Sequence, residues 1–375
     1  MPSRPPLAGV RLLDFTALLP GAMCTLYLAD LGADVIKVEP PVTGEAARGP
    51  AGTPPGGIFH VTNRNKRSIT LDLKNPEQNA QARRLIAESD VMVESFRPGV
   101  MARLGLDYAT MAALNPRLVY CSITGYGQQG PMADKAGHDI NYQAMAGVAA
   151  QNVVDGSRPS PGGSPWADLA GGGLSAALGI MTALFDATRT GQGRHVDIAM
   201  TDCVMALNVA ALSSKMMFGG GQPEPGRDIL SGGLPCYGTY ATADGRHLAF
   251  GALEHKFWHA FCQAVERPDL ERRGWDMGPR RDAAVEEIAA LVRARTVAEW
   301  TALLGGVDAC ITPVLTLDES LDAGRERGMV IDVSGGGATT TQYAQPIRMT
   351  DYAFSVALPP PVLGEHNDQI LAPAG

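Results

Sequence analysis

The first third of the chain alternates short apolar runs with longer stretches of helical periodicity. Five runs have the length and β-branched content of strands: VRLLDF (10–15), ADVIKVE (33–39), SITLDL (68–73), DVMVESF (90–96) and RLVYCSIT (117–124). Between them lie helical patterns, one opening near Asn75 and Pro76, where proline suits the first turn, and another over 99–114. This alternation predicts a parallel sheet with crossover helices, a doubly wound α/β layer.

The middle of the chain has a different pattern. A glycine- and proline-rich break over 219–226 follows three patterned stretches: a helical 169–187, a strand over 194–200 and a helical 202–217. Two strand-like runs, 236–242 and 246–253, then flank Asp244 and Gly245, a pair that favours the tight turn of a hairpin. With the helical patterns over about 254–304, they predict a smaller α+β domain.

The last part of the chain predicts a few further elements. They are a strand over 311–317, a helix over 317–327 and a strand over 345–349. These C-terminal elements could pack against the first domain and complete it.

Charge and cysteine content narrow the class of protein. Lysine and arginine number 31 against 39 aspartates and glutamates, a net charge of −8, which argues against a general nucleic-acid or anionic-membrane binder. The six cysteines are scattered without a CxxC pair, as in a reducing compartment. No apolar leader follows the start, and the uncharged run over 169–185 is short for a membrane span. We expect a cytoplasmic protein without a membrane or nucleic-acid partner.

The densest basic cluster contains Arg64, Lys66 and Arg67, immediately before a predicted strand. Beside an open α/β sheet, such a cluster could hold the phosphates of a nucleotide-like ligand, or it could be an ordinary solvated loop. There is no Walker loop, and no GxGxxG follows the first strand, so the usual nucleotide and dinucleotide sites are not supported.

Three acid/base candidates stand out. His138 precedes Asp139, which could cap a helix; the histidine is either a proton-transfer group or a hydrogen-bonded loop residue. Asp168 precedes three glycines over 171–173, a costly choice in a helix that suggests the close approach of another backbone or a ligand, although a simple N-cap is the alternative. Glu254 stands where the hairpin gives way to a helix and could be merely an acidic helix start.

A metal site is not expected. His255 and His259 have a spacing that can bind zinc, but Glu254 precedes the pair and no HExxH motif is present. Four methionines earlier in the chain, Met200, Met205, Met216 and Met217, are either core residues or part of a surface for varied apolar ligands.

Seven blocks along the chain resemble the family III CoA-transferase superfamily (CaiB/BaiF type), and most closely its α-methylacyl-CoA racemase branch. The blocks occur in order at 6–39, 63–74, 93–106, 122–131, 137–148, 167–174 and 364–371. The transferase branch uses an aspartate nucleophile that matches Asp168. The racemase branch is similar in the histidine before DINY, here His138, in the GALE block with Glu254, and in the segment 232–245.

The resemblance implies a racemase or epimerase of 2-methylacyl-CoA thioesters. The runner-up is a CoA transferase with an acyl-Asp168 intermediate, and the third alternative is a non-catalytic acyl-CoA-binding protein. For the racemase, His138 oriented by Glu254 would serve one face of the α-carbon and Asp168 the other, while the Asp139 N–H would hold the enolate oxygen. CoA is part of the substrate, so no separate cofactor is expected. The candidates for its phosphates are Arg64, Lys66, Arg67, Arg97 and Arg103.

The same resemblance implies a domain organisation and an assembly. The expected parts are a large Rossmann-like domain over 1–200 completed by about 316–375, a linker helix region over 201–224, and a small α+β domain over 225–315. Two copies would interlock as a homodimer, with the site between the large domain of one and the small domain of the other. His255, Lys256 and Cys236 depart from the residues that the family more often has, which bears on the acyl specificity.

Overall fold

The computed structural model describes residues 4–50, 53, 56–154, 158–160, 162–221, 224–335 and 338–372. It is an α/β structure. Its strands are β1 Arg11–Phe15, β2 Asp34–Glu39, β3 Lys66–Thr70, β4 Val91–Glu94, β5 Val119–Thr124, β6 Val153–Val154, β7 Arg158–Pro159, β8 His195–Ala199, β9 Tyr237–Ala241, β10 His247–Gly251, β11 Ile311–Pro313, β12 Val330–Gly335 and β13 Ala338–Tyr343.

The helices separate the strands in the first part of the chain. They are α1 Leu18–Asp30, α2 Ile58–Thr62, α3 Pro76–Ala87, α4 Val100–Arg103, α5 Tyr108–Leu114, α6 Asp139–Met145, α7 Ser175–Thr190, α8 Met200–Leu207, α9 Val209–Met217, α10 His255–Ala264, α11 Pro279–Val292, α12 Val297–Leu304, α13 Leu317–Glu326 and α14 Asn367–Ile370. A π-helical stretch, Ala167–Leu174, leads directly into α7.

The described residues form two compact units. The first is drawn from 1–146, 163–207 and 322–375, and the second from 147–162 and 208–321. The expected linker region 201–224 is therefore divided, because α8 packs within the first unit and α9 falls in the second. Residues 147–162 were expected within the large domain, but the described residues of this segment belong to the second unit by their contacts.

A six-stranded parallel sheet in the order β3-β2-β1-β4-β5-β8 organises the first unit. The predicted strands within it are confirmed to within a few residues, because strands of a buried parallel sheet are continuous apolar runs. On one face the core includes Leu13, Ile36 and Met92, all almost without exposed surface. The helix predicted near Asn75 is also confirmed: the Asn75 side chain accepts hydrogen bonds from the N–H groups of Glu77 and Gln78.

Two predictions in the first unit are wrong in detail. The helical 99–114 is divided into α4 and α5, because Gly105 adopts a positive φ of 66° and Asp107 caps a new helix. The strand predicted over 345–349 is irregular chain; β12 and β13 precede it instead as an antiparallel hairpin. The hairpin was missed because β13 is rich in threonine and buries polar side chains.

The second unit contains a three-stranded antiparallel sheet in the order β11-β10-β9. The hairpin predicted around Asp244 and Gly245 joins β9 to β10 and is confirmed. Helices α10, α11 and α12 contribute to a core around Trp258, Phe261 and Trp300, each fully buried.

The helix formed by 167–190 is long and apolar enough, with a mean hydropathy of 1.4, to span a membrane by length and composition alone. Core helices of soluble proteins meet the same criterion. In the described residues its Gly172, Ile180 and Ala183 are buried, and it packs against α1 and β5.

Candidate active site

Asp168 lies in the first turn of the π-helical stretch Ala167–Leu174. The glycines that follow it allow two helices to approach closely. A Cβ atom at Gly172 would lie 2.7 Å from Pro20 Cβ of α1, and one at Gly171 would lie 2.9 Å from the carbonyl oxygen of Met200 in α8. The close approach that the glycines indicated is therefore that of neighbouring helices, which fix the backbone that carries Asp168.

We expect Gly172→Ala to lower the free energy of unfolding by about 1–3 kcal/mol, because the new methyl group must displace packed atoms of Pro20 and Met200. Urea denaturation measures the effect. Gly163→Ala is the control, since among the described residues other than Gly163 and its two chain neighbours no heavy atom lies within 4 Å of its Cβ position. Equal stability of the two variants would contradict the packing explanation.

His138 and Asp139 lie at the start of α6. The helix begins at Asp139, so His138, and not Asp139 as predicted, is the N-cap residue. The N–H of His138 donates to Asn141 Oδ1 at 3.0 Å, and the His138 side chain remains exposed. An exposed imidazole at a helix start is accessible to a substrate.

The carboxylate of Asp139 connects this helix to Asp168. Its Oδ1 accepts the backbone N–H of Asp168 at 3.0 Å, and its Oδ2 accepts the Gln143 side-chain N–H at 2.5 Å. Burial raises the pKa of Asp168 to about 6, the nearby negative charge of Asp139 adds to this, and His138 opposes it. His138, Asp139 and Asp168 therefore form one cluster, in which Asp168 can take up or release a proton near neutral pH.

Tyr142 supports the segment that precedes this cluster. Its hydroxyl donates to the Gly137 carbonyl at 2.5 Å, and its ring makes an edge contact with Tyr126 at 5.3 Å between centroids. Burial and the charge of Asp168 raise the pKa of Tyr142 to about 12, so the phenol stays protonated. Sequence reasoning missed both Tyr142 and Gln143, because nothing in their spacing separates them from ordinary helix residues.

Glu254 belongs to the second unit. It is the exposed N-cap residue of α10, with extended backbone, and its side chain makes no capping hydrogen bond. The structure pairs His259 Nδ1 with Glu271 at 2.9 Å, and among the described residues no group of three His, Cys, Asp or Glu could hold a metal ion. Cys236 is fully buried in the core of the second unit, so its effect there is on packing.

The four methionines divide between the two predicted roles, core residue and exposed apolar surface. Met200 is a core residue, 6% exposed, whereas Met205, Met216 and Met217 each expose half or more of their surface. The last three are therefore available to an apolar ligand or partner.

The structure corrects the assignment of Arg64 and Lys66 to ligand phosphates. Arg64 is 2% exposed and donates to Asp30 Oδ2 at 2.6 Å, and Lys66 is fully buried with its ammonium 3.6 Å from Asp14. The cluster is not a solvated loop, because Lys66 begins β3 and pairs with β2. Arg67 donates two hydrogen bonds at 2.6 Å to the carboxylate of Asp34, which occupies its guanidinium.

A cavity of about 780 Å³ lies at the carboxyl ends of β1 and β2, where ligands of open α/β sheets bind. Ser95, Phe96 and Leu104 line part of it, and its cations are Lys74 and Arg103, both exposed. Arg103 was among the predicted phosphate ligands. Lys74 was not, because an exposed lysine shortly after a strand has no distinguishing sequence signal. Arg97 does not line the cavity; its charge lowers the pKa of Tyr142, which places it beside the His138 cluster.

Comparison with known proteins agrees with the blocks noted in the sequence. The sequence model of CoA-transferase family III matches residues 7–367. Alpha-methylacyl-CoA racemase of Homo sapiens is 36% identical over 98% of this chain and 93% of its own length. Succinate–glutarate CoA-transferase of Agrobacterium fabrum is 34% identical over 99% of this chain and 96% of its own.

Solved structures agree with the sequence matches. The crystal structure of a CAIB/BAIF family protein from Brucella suis has a TM-score of 0.83 at 30% identity, and the match covers 98% of both chains. The similarity thus extends over the fold as well as the site blocks, and over racemases as well as transferases. The chain belongs to CoA-transferase family III.

Proposed function

We propose that the protein interconverts the epimers of 2-methylacyl-CoA thioesters by removing and returning the α-proton. The observation that carries this proposal is the cluster of exposed His138 with Asp168, whose pKa is raised to about 6. A group that titrates near the working pH can act as base in one direction and acid in the other. The similarity to alpha-methylacyl-CoA racemases over nearly the whole chain supports the same reaction.

The reaction needs one acid/base group on each face of the α-carbon. His138 removes the proton on one face and Asp168 returns a proton on the other, and the roles reverse for the opposite epimer. The intermediate is an enolate, whose oxygen needs a donor. The N–H of Asp139 is suited to it, because the first N–H groups of a helix have no partner within that helix.

We further propose that Glu254 orients His138 across an interlocked homodimer. The first unit of one copy would supply His138 and Asp168, and the second unit of the other copy would supply Glu254. Exposed apolar side chains support an interface between copies, among them Leu178 and Phe185 of α7 and Leu212 of α9. A cytoplasmic location is part of the proposal, because the cysteines of the described chain are free thiols.

The CoA part of the substrate is placed in the cavity at the carboxyl ends of β1 and β2. Arg103 and Lys74 would bind its phosphates, Phe96 and Leu104 offer apolar contacts to the adenine, and Arg97 lies nearer the reacting end. CoA is here a part of the substrate, and the mechanism needs no separate cofactor.

We expect Arg103→Ala to weaken CoA binding by about 10-fold to 100-fold, because a hydrogen bond to a charged group contributes about 1.5–3 kcal/mol. Isothermal titration calorimetry with free CoA measures the change. Arg84→Ala is the matched control: it is an exposed arginine of α3 that pairs with Glu88. Equal affinity of the two variants would contradict the placement of CoA.

A CoA transferase with an acyl-Asp168 intermediate is the second candidate, favoured by the 34% identity to succinate–glutarate CoA-transferase. One experiment separates the two. A single epimer of a 2-methylacyl-CoA is incubated with the enzyme in D2O without a carboxylate acceptor. The racemase places deuterium at the α-carbon with loss of configuration, and absence of exchange contradicts it.

The transferase gives different products. It moves CoA to an added free acid, and hydroxylamine traps acyl-Asp168. A protein that binds acyl-CoA without catalysis would show neither result while still binding CoA in the calorimeter.

A further inference from the structure

Gln143 is a polar side chain in the interior of the cluster and is not among the groups that the proposed reaction uses. It has no exposed surface, and its Nε2 donates to Asp139 Oδ2 at 2.5 Å. Asp139 and Gln143 are four residues apart on α6, so their side chains lie on one face of the helix. The amide oxygen of the same side chain, Gln143 Oε1, has no hydrogen-bond partner among the described residues.

We propose that Gln143 is a positioning residue that fixes which of two neighbouring carboxyl groups carries the catalytic proton: it holds Asp139 as the anion, so the proton resides on Asp168. This inference rests on the proposed function, in which Asp168 exchanges a proton with the α-carbon. Neither the family match nor the relatives' names assign a role to this position.

The hydrogen bonds of the two carboxyl groups differ in a way that supports the assignment. Asp139 accepts two N–H donors, one on each oxygen, from Gln143 and from the backbone of Asp168. Donors to a carboxylate stabilise its ionised form. The Asp168 carboxyl accepts no hydrogen bond from the described residues and is partly buried, and burial raises its pKa.

Other charged groups near the π-helical stretch do not favour ionisation of Asp168 over that of Asp139. The charges that act on the Asp168 carboxyl are Asp139, which raises its pKa, and His138, which lowers it. Tyr142 on α6 is neutral near pH 7, because the ordinary pKa of a phenol is about 10 and that of Tyr142 is higher still. The other elements packed against the π-helical stretch, α1, α7, α8 and β8, add no charge that shifts the Asp168 pKa among the described residues. Gln143 is therefore the side chain that makes the two carboxyl groups unequal.

The test follows each carboxyl group by NMR in protein labelled with 13C at the aspartate side chains. Resonances of Asp168 and Asp139 are identified by their absence in Asp168→Asn and Asp139→Asn. In the wild type we expect the titration near pH 6 to appear at the Asp168 resonance. Gln143→Met keeps the volume and removes one of the two donors to Asp139. The proton should then be shared more evenly between the two carboxyl groups, so the Asp168 titration midpoint should fall by about one pH unit.

An unchanged Asp168 titration in folded Gln143→Met would overturn the proposal. Gln143→Glu is the second variant, and it places a third carboxyl group in the cluster; we expect it to raise the highest titration midpoint of the cluster, and no rise would also count against the proposal. If Gln143→Met does not fold, this variant decides alone. The NMR measurement does not depend on turnover. The proton-assignment proposal can therefore be tested even if the protein shows no racemase activity.

Kinetics add an independent readout. If the racemase assignment holds, Gln143→Met should lower kcat at pH 7 by roughly 10-fold with little change in KM, since CoA contacts lie in the separate cavity. The pH at which kcat reaches half its maximum should shift as the Asp168 resonance shifts. A matched loss of kcat and stability with an unshifted pH profile would indicate a merely structural residue.

Discussion

Asp168→Ala is expected to lower the rate of racemisation by at least about 10²-fold, because it removes the acid/base group from one face of the α-carbon. His138→Ala should have an effect of similar size from the other face. CoA affinity should change little in both variants, since the cavity lined by Arg103 lies apart from these side chains. Racemisation of each 2-methylacyl-CoA epimer, followed by chiral separation, and calorimetry with CoA measure the two quantities.

Exchange of the substrate α-proton with solvent deuterium distinguishes the two variants from each other. With one acid/base group left, each variant should still exchange the α-proton of the single epimer whose proton faces that group, and the two variants should differ in which epimer exchanges. The control is Asp134→Ala, an exposed aspartate of the same segment, with unchanged rates expected. Residual exchange of both epimers in either variant would contradict the two-group mechanism.

Asp14→Ala is expected to lower the free energy of unfolding by about 3–5 kcal/mol, because it leaves the buried ammonium group of Lys66 without its carboxylate partner, while Lys37 keeps Glu45 at 3.1 Å. Asp14 is fully buried, with Lys37 at 3.8 Å and Lys66 at 3.6 Å. Thr16 and Thr25 donate to it at 2.6 Å each. Burial alone would raise the pKa of Asp14, but the two lysines and the threonines hold it below its usual value.

Urea denaturation near neutral pH measures the loss. The control is Glu88→Ala, which breaks the exposed pair with Arg84 at 3.3 Å and should cost less than about 0.5 kcal/mol. A small loss in Asp14→Ala would mean that the lysines find other partners or lose their charge in the variant.

The same buried cluster shows why part of the sequence interpretation was wrong. Arg64 and Lys66 were placed on a loop because they belong to a dense basic run immediately before a predicted strand. Their partners, Asp30 and Asp14, are contributed by α1 and β1 and come near only when β3 joins the sheet. The sequence around a charged residue does not show which distant residue will pair with it. Hydrophobic periodicity therefore does not predict that an ion pair is buried.

His138, Asp139 and Asp168 were predicted as site residues from local blocks, and the structure places them near one another. Their catalytic roles stay predictions. Gln143 was not recognised, because a glutamine within a helix is usually solvated and only the fold buries it beside the Asp139 carboxylate. The role of Glu254 stays a prediction, since its unit and that of His138 are separate bodies of the chain.

The π-helical stretch that carries Asp168 makes the site sensitive to the length of the chain there. Each of its turns holds about one residue more than an α-helical turn, and each residue of a helix corresponds to a rotation of about 100°. Loss of a single codon among those for Gly171 to Gly173 would let the segment relax into regular α-helix and swing the carboxyl group of Asp168 away from His138. Within this fold, the length of the glycine run therefore bears on the position of the Asp168 carboxyl group, as the residue type bears on its chemistry.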